Sequence, residues 1–192
     1  MGIYISDIYN RLNEKDEQLK VAEESAKYNS FESNVGRFKT NSGRNIYYYG
    51  EEFGDNTKSI NNDNFTNIHT LNDLFAILLK SWKKETAYPS CQRDPQYNLD
   101  NDPTYGQCAI TAIIVYDLFG GTIHRIRVNS GGTHYFNKIN GHYIDLTRDQ
   151  FDLYNIPVNY EPNETINREY CGKNSDTAKR LQMLQDNMKE NQ

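Results

Sequence analysis

The sequence predicts an α+β domain in which helices come first and an antiparallel hairpin follows, not a wound parallel sheet. Three observations carry this. Leu71, Leu74, Phe75, Leu78, Leu79 and Trp82 recur at helical spacing. Gln107 to Phe119 is almost wholly apolar and is closed by Gly120-Gly121, the signature of a buried helix with a glycine stop. Asn140-Gly141 then separates two alternating segments, the strongest short-range hairpin signal.

Each element has its own justification. Ser6-Asp7 caps a predicted helix running to about Tyr28, with a thin stripe of Ile8, Leu12, Leu19, Val21 and Ala22 among many charges. Such a helix packs weakly or reaches for a protein partner. Residues 29–67 are polar and rich in Asn, Gly and Ser, interrupted by Asn45-Ile46-Tyr47-Tyr48-Tyr49, which reads as a short strand. Residues 1–69 are therefore expected to form a polar N-terminal extension, and 70–192 the domain proper. The amphipathic helix from Leu71 is followed by a loop from Pro89 to Pro103, dense in Asp, Asn and Pro. After the apolar helix, Ile126 and Val128 alternate with Arg125 and Arg127 in a predicted strand over 122–128. The hairpin strands are predicted at about 133–139 and 142–147, and a final helix carrying Leu181, Leu184 and Met188 is capped by Ser175.

Composition narrows the function. With 192 residues and an apolar fraction of 36%, the chain fits one domain plus polar extensions. A formal charge of -5 and no basic stripe argue against nucleic acid as a partner. No apolar run is long enough to span a bilayer, so no membrane partner is expected. Cys91, Cys108 and Cys171 are odd in number and irregularly spaced, which suits a reduced, cytoplasmic setting more than a disulfide framework. No close pair of metal ligands occurs among Cys91, Cys108, Cys171, His124 and His142, and the acidic loop over 94–103 lacks calcium-loop spacing. The expectation is no metal and no cofactor.

The specific chemistry lies in Tyr105-Gly106-Gln107-Cys108, Thr133-His134-Tyr135-Phe136-Asn137 and Ile144-Asp145-Leu146-Thr147. A two-residue turn at Asn140-Gly141 pairs Ile139 with His142, Lys138 with Tyr143 and Asn137 with Ile144. Continued further, Phe136 opposes Asp145. His134 and Asp145 then lie diagonally on one face, and His142 falls on the other. Cys108 stands at a helix start, where unpaired N–H groups and partial positive charge suit a nucleophilic sulfur. His134 would take the thiol proton, Asp145 would hold the imidazole, and the Cys108 N–H would receive an oxyanion. Gly106 is read as allowing close approach of substrate to the backbone, and Gln107 as a local hydrogen bonder or a second oxyanion donor. Asp149 is assigned a capping role and Arg148 a solvent-facing one. Trp82 and the tyrosines are assigned to packing.

These motifs resemble those of the transglutaminase-like, papain-related superfamily: Tyr105-Gly106-Gln107-Cys108 matches its nucleophile motif, and His134-Tyr135-Phe136-Asn137 its histidine motif, with Phe136 where Trp is usual. Gly106-Gln107-Cys108-Ala109, Phe119-Gly120-Gly121, His134-Tyr135-Phe136-Asn137 and residues 145–151 more closely resemble the YunG-like family of small bacterial proteins. The resemblance covers about residues 71–184. It implies a papain-like core with a nucleophile helix on a small antiparallel sheet, and a Cys108, His134, Asp145 triad acting on amides. Ala109 replaces the aromatic that usually follows the nucleophile, so the usual tunnel wall is not expected. The resulting expectation is a cysteine-dependent hydrolase or acyltransferase forming a thioester on Cys108, its substrate a peptide, glutamine amide or other small amide. The alternative is a catalytically inactive papain-like fold serving as a binding or regulatory module.

Overall fold

The computed structural model describes residues 36–61, 63–128 and 132–192. The charged helix expected over residues 6–28 lies outside the described residues. The described chain is α+β, with a four-stranded antiparallel sheet in the order β3-β2-β1-β4: β1 is Thr122–Arg127, β2 Thr133–Ile139, β3 His142–Ile144 and β4 Glu164–Ile166. Among the described residues it is accompanied by six α-helical segments, α1 (Leu71–Ser81), α2 (Pro89–Gln92), α3 (Cys108–Phe119), α4 (Asp149–Asp152), α5 (Arg168–Gly172) and α6 (Ser175–Glu190), and by two short 3-10 turns, Glu51–Phe53 and Lys84–Thr86.

Helix α1 starts at a reciprocal capping box. Thr70 Oγ1 accepts from the Asp73 N–H at 3.1 Å, and Asp73 Oδ2 accepts from the Thr70 N–H at 2.9 Å. It buries Leu71, Leu74, Phe75 and Leu78 completely, and Trp82 follows it into the core. Helix α3 is apolar all round, and eight of its twelve residues are buried. Two buried polar bonds fix its position: Trp82 Nε1 donates to Thr111 Oγ1 at 3.2 Å, and Asn137 Nδ2 donates to the Ala112 carbonyl at 3.0 Å. At its far end Gly121, with φ near 77°, runs so close to β2 that an added Cβ would lie 2.3 Å from the Lys138 carbonyl oxygen. Helix α6 is capped by Asn174, whose side chain accepts from Asp176 N–H at 2.8 Å. The expected cap, Ser175, is instead the first helical residue. Both residue types serve as caps, and the one with extended backbone takes the role.

The hairpin has the expected register, Ile139 opposite His142, Lys138 opposite Tyr143 and Asn137 opposite Ile144. Asn140 and Gly141 both have positive φ, 50° and 87°, which identifies a type I′ turn. Strand β3 is shorter than expected. After Ile144 the backbone of Asp145 pairs instead with Tyr49: Tyr49 N–H donates to the Asp145 carbonyl at 3.2 Å, and Asp145 N–H returns a bond to Tyr49 O at 3.0 Å. The tyrosine-rich segment expected to be a strand makes isolated bridges rather than a full ladder. It is nonetheless built into the protein, since Phe38, Ile46, Tyr48, Phe65 and Ile68 join the main core. The core thus continues across residue 70. Strand β4 and helices α2 and α5 were not foreseen; each has five residues or fewer and carries too little periodicity to read.

Candidate functional site

The two faces of the sheet have different neighbours. Tyr135, Asn137 and Ile139 face α3 and the main core. Direct cross-strand partners share a face, so the pairs His124 with Phe136 and Ile126 with His134 place these residues on the opposite one. There Ile126, Phe136 and Tyr160 form a second apolar cluster.

His134 and Asp145 meet on that face. His134 Nε2 and Asp145 Oδ2 are 2.6 Å apart, and both side chains are 1% exposed. The carboxylate is held on both oxygens. Oδ2 also accepts from the Tyr160 hydroxyl at 2.9 Å, while Oδ1 accepts from Thr147 N–H and Thr147 Oγ1, each at 3.0 Å. Burial on its own would push this carboxyl up. The charge and hydrogen bond of His134, the Tyr160 bond and the nearby Arg148 reverse that and hold it below its ordinary value. Burial would likewise lower the imidazole, yet the Asp145 charge and hydrogen bond, with Cys108, push it up to about 9.

The second ring nitrogen, His134 Nδ1, is buried and makes no formed hydrogen bond. The side chain that acts on the ring from elsewhere is Cys108, both as a hydrogen-bonding group and as a charge. Cys108 is thus close enough to the ring to influence its charge. Cys108 is the first residue of α3 and is half-buried. The ring is clamped by Phe151, edge-on at 4.7 Å between centroids, and lies near-parallel to Phe136 at 6.3 Å.

The loop before Cys108 is fixed from two sides. Gly106, with φ near 74°, accepts from the Tyr88 N–H at 2.8 Å and donates to Gln150 Oε1 at 3.3 Å. A Cβ there would lie 2.8 Å from Cys91 Sγ, so the close approach that Gly106 allows is to Cys91 and to Tyr88. Gln107 is fully buried and donates through Nε2 to the Lys83 carbonyl at 3.0 Å, a partner distant in sequence and not the local one expected. Gln150 completes the frame by donating to the Thr147 carbonyl at 2.9 Å, linking the Cys108 loop to the Asp145 turn.

Other expected roles divide. His142 is exposed and stacks on Phe53 at 3.8 Å, away from the site, as the hairpin parity required. His124 is buried between Thr122 Oγ1 and Asn163 Oδ1. Arg148 is not solvent-facing: its side chain is 11% exposed and donates to Asp152 Oδ1 at 2.7 Å. Asp149 starts α4 and is also buried, receiving both terminal nitrogens of Arg44 at 2.8 and 2.6 Å. Sequence reasoning missed Tyr160, Thr147, Gln150 and Phe151. Only Thr147 carried a signal, the Asp-x-Thr spacing of a side-chain-to-backbone turn. Among the described residues no cluster of three or more His, Cys, Asp or Glu could hold a metal ion, and no helix is long and apolar enough to cross a membrane. A cavity of about 490 Å³ lies beside Arg127, Thr133 and Glu161, but Cys108, His134 and Asp145 do not line it.

Comparison with known proteins gives two matches. The family profile described as YunG protein matches residues 70–192. An 85-residue stretch is 42% identical to "Uncharacterized protein YunG" of Bacillus subtilis (strain 168), covering 44% of this chain and 64% of that protein, just under two thirds of its length. No solved structure matches.

Proposed function

The chain belongs to the YunG family, and on that premise we propose that it is a cysteine-dependent acyl-transfer enzyme with Cys108 as nucleophile, His134 as proton carrier and Asp145 as the group that holds the imidazole. The observation that carries this is the 2.6 Å bond from His134 Nε2 to Asp145, which leaves Nδ1 without a hydrogen bond on a ring whose charge Cys108 also influences. The order Cys, His, Asp, with the cysteine heading a buried helix, the histidine on an antiparallel strand and the aspartate just past the next one, supports a small transglutaminase-like core.

In this reading the Cys108 thiol proton passes to His134 Nδ1, and Asp145 stabilises the resulting imidazolium. An imidazole that keeps its proton up to about pH 9 is suited to stand beside a thiolate. The sulfur attacks the carbonyl carbon of an amide, and first-turn N–H groups of α3, which have no intrahelical acceptor, receive the oxyanion. Collapse breaks the C–N bond, His134 gives its proton to the departing amine, and a thioester remains on Cys108. Water or a second amine then attacks that thioester, His134 takes the incoming proton, and the thiol is restored. A second reading, an idle fold used as a binding module, draws on one observation: His134 and Asp145 are almost wholly buried.

Iodoacetamide labelling read by peptide mass decides between them. Burial pushes the Cys91 and Cys171 thiols up to about 12, so both should react slowly at neutral pH. Cys108 should label at least about tenfold faster than either, and His134→Ala should remove that advantage. Equal or slower labelling of Cys108 in the folded chain would leave only the binding module.

A further inference from the structure

We propose that Tyr160 is a positioning residue of this site, dividing the charge of Asp145 so that the carboxylate holds His134 without binding its proton too tightly. The inference rests on the acyl-transfer reading for its catalytic meaning, but not for its test.

The geometry is specific. Tyr160 Oη and His134 Nε2 address the same carboxylate oxygen, Oδ2, at 2.9 and 2.6 Å. The other oxygen already has two donors from Thr147. The carboxylate plane is therefore fixed without Tyr160, and what the hydroxyl adds is competition for charge on the oxygen that faces the imidazole. A donor on that oxygen lowers its basicity and tempers its pull on the Nε2 proton.

Tyr160 is itself held for this purpose. Its ring is 7% exposed and packs on Phe136 at 4.7 Å, Tyr49 at 4.6 Å and Tyr143 at 5.8 Å between centroids. Arg148 lies over the ring, 5.7 Å from its centroid, and its Nη1 reaches the hydroxyl oxygen at 3.4 Å. With its oxygen accepting from Arg148, the hydroxyl hydrogen is directed at Asp145. The charged and titratable groups facing the pair are thus Cys108 at the ring, Arg148 with its partner Asp152, Tyr49, and the Tyr143–Glu161 pair bordering His124.

Tyr160→Phe keeps the ring and removes only the hydroxyl. The test is a ¹⁵N-imidazole NMR titration of the full chain, with Tyr143→Phe as a control that removes a neighbouring hydroxyl not bonded to Asp145. The Tyr160→Phe chain should show the His134 midpoint moved upward by about one pH unit, with the Nε2 proton still bonded. Tyr143→Phe should leave it in place. An unmoved His134 midpoint in Tyr160→Phe, or an equal movement in Tyr143→Phe, overturns the proposal. Should Tyr160→Phe fail to fold, the unaltered chain answers: the Tyr160 ring ¹³Cζ signal should follow the His134 titration, and a flat response overturns the assignment. Slow iodoacetamide labelling of Cys108 would sink the acyl-transfer reading and leave this titration result standing.

Discussion

Asp145 and Asp102 are equally buried, each 1% exposed, and their surroundings give them opposite character. Asp145 receives a histidine, a tyrosine, a threonine hydroxyl and a backbone N–H, and its carboxyl is held below the ordinary range. Asp102 has Thr104 Oγ1 on one oxygen at 3.2 Å, Tyr154 as a weaker donor, and no well-formed bond to Oδ2. Burial, with Asp149 nearby, pushes it up to about 7, and Thr104 and Arg44 only partly offset this. Depth does not decide what a buried carboxylate becomes; the count of donors aimed at it does. One region of the protein invests four donors in keeping a charge, and the other tolerates a proton.

The comparison breaks most visibly at Asp145. Asp145→Ala removes one member of a buried pair and leaves His134 without its counter-charge, an expected loss of about 3–5 kcal/mol in denaturant unfolding. A loss below about 1 kcal/mol would mean the imidazole finds another partner with ease. Next in size is pH. His134 is raised from its ordinary value to about 9, so its contribution is complete below about pH 6.5 and is lost as pH rises through 9. Asp145 is lowered, so its share is present above about pH 4 and fades as acid protonates it. Urea midpoints across pH 6–10 should fall by an amount equivalent to about 3 kcal/mol from the histidine, and His134→Gln should flatten that window.

Asp102 runs in a different interval. A carboxyl raised to about 7 stabilises the folded state most below about pH 4 and loses that as pH climbs through 7. Asp102→Asn should therefore match the parent chain in acid and exceed it by about 4 kcal/mol at pH 8. No gain at pH 8 would show that Asp102 carries its charge at no cost. The smallest effect is expected at Gln150, which joins the Cys108 loop to the Asp145 turn. Gln150→Ala leaves the Gly106 N–H and the Thr147 carbonyl without this partner, costing about 1 kcal/mol and slowing Cys108 alkylation. Slowing without loss of stability would assign Gln150 to aiming the loop.

The histidine region was largely legible in the sequence, because local signals set it. Asn140-Gly141 fixed the turn, period-two alternation fixed the faces, and these together placed Asp145 beside His134 and sent His142 elsewhere. The acidic region was not legible. Asp102 falls in a stretch read only as a loop dense in Asp, Asn and Pro, and its surroundings include Arg44, which lies far away in sequence and bonds Asp149 and the Asn101 carbonyl. Tyr160 was hidden for the same reason. It lies outside any helix or strand, and only packing on Phe136 and Tyr49 brings it to the carboxylate. The buried Arg148 looked like a surface charge because its partners, Asp152 and Tyr160, are ordinary polar residues until folded together.

The paired backbone bonds between Tyr49 and Asp145 bear on the order in which the protein assembles. The hairpin and α3 close through short loops and can form early. The carboxylate's own backbone is clamped by a segment nearly a whole domain earlier in the chain, a contact of high sequence separation whose loop-closure cost delays it. The buried His134–Asp145 pair would then be completed late, after the sheet exists. Hydrogen exchange during refolding should show the Asp145 amide gaining protection after those of the hairpin.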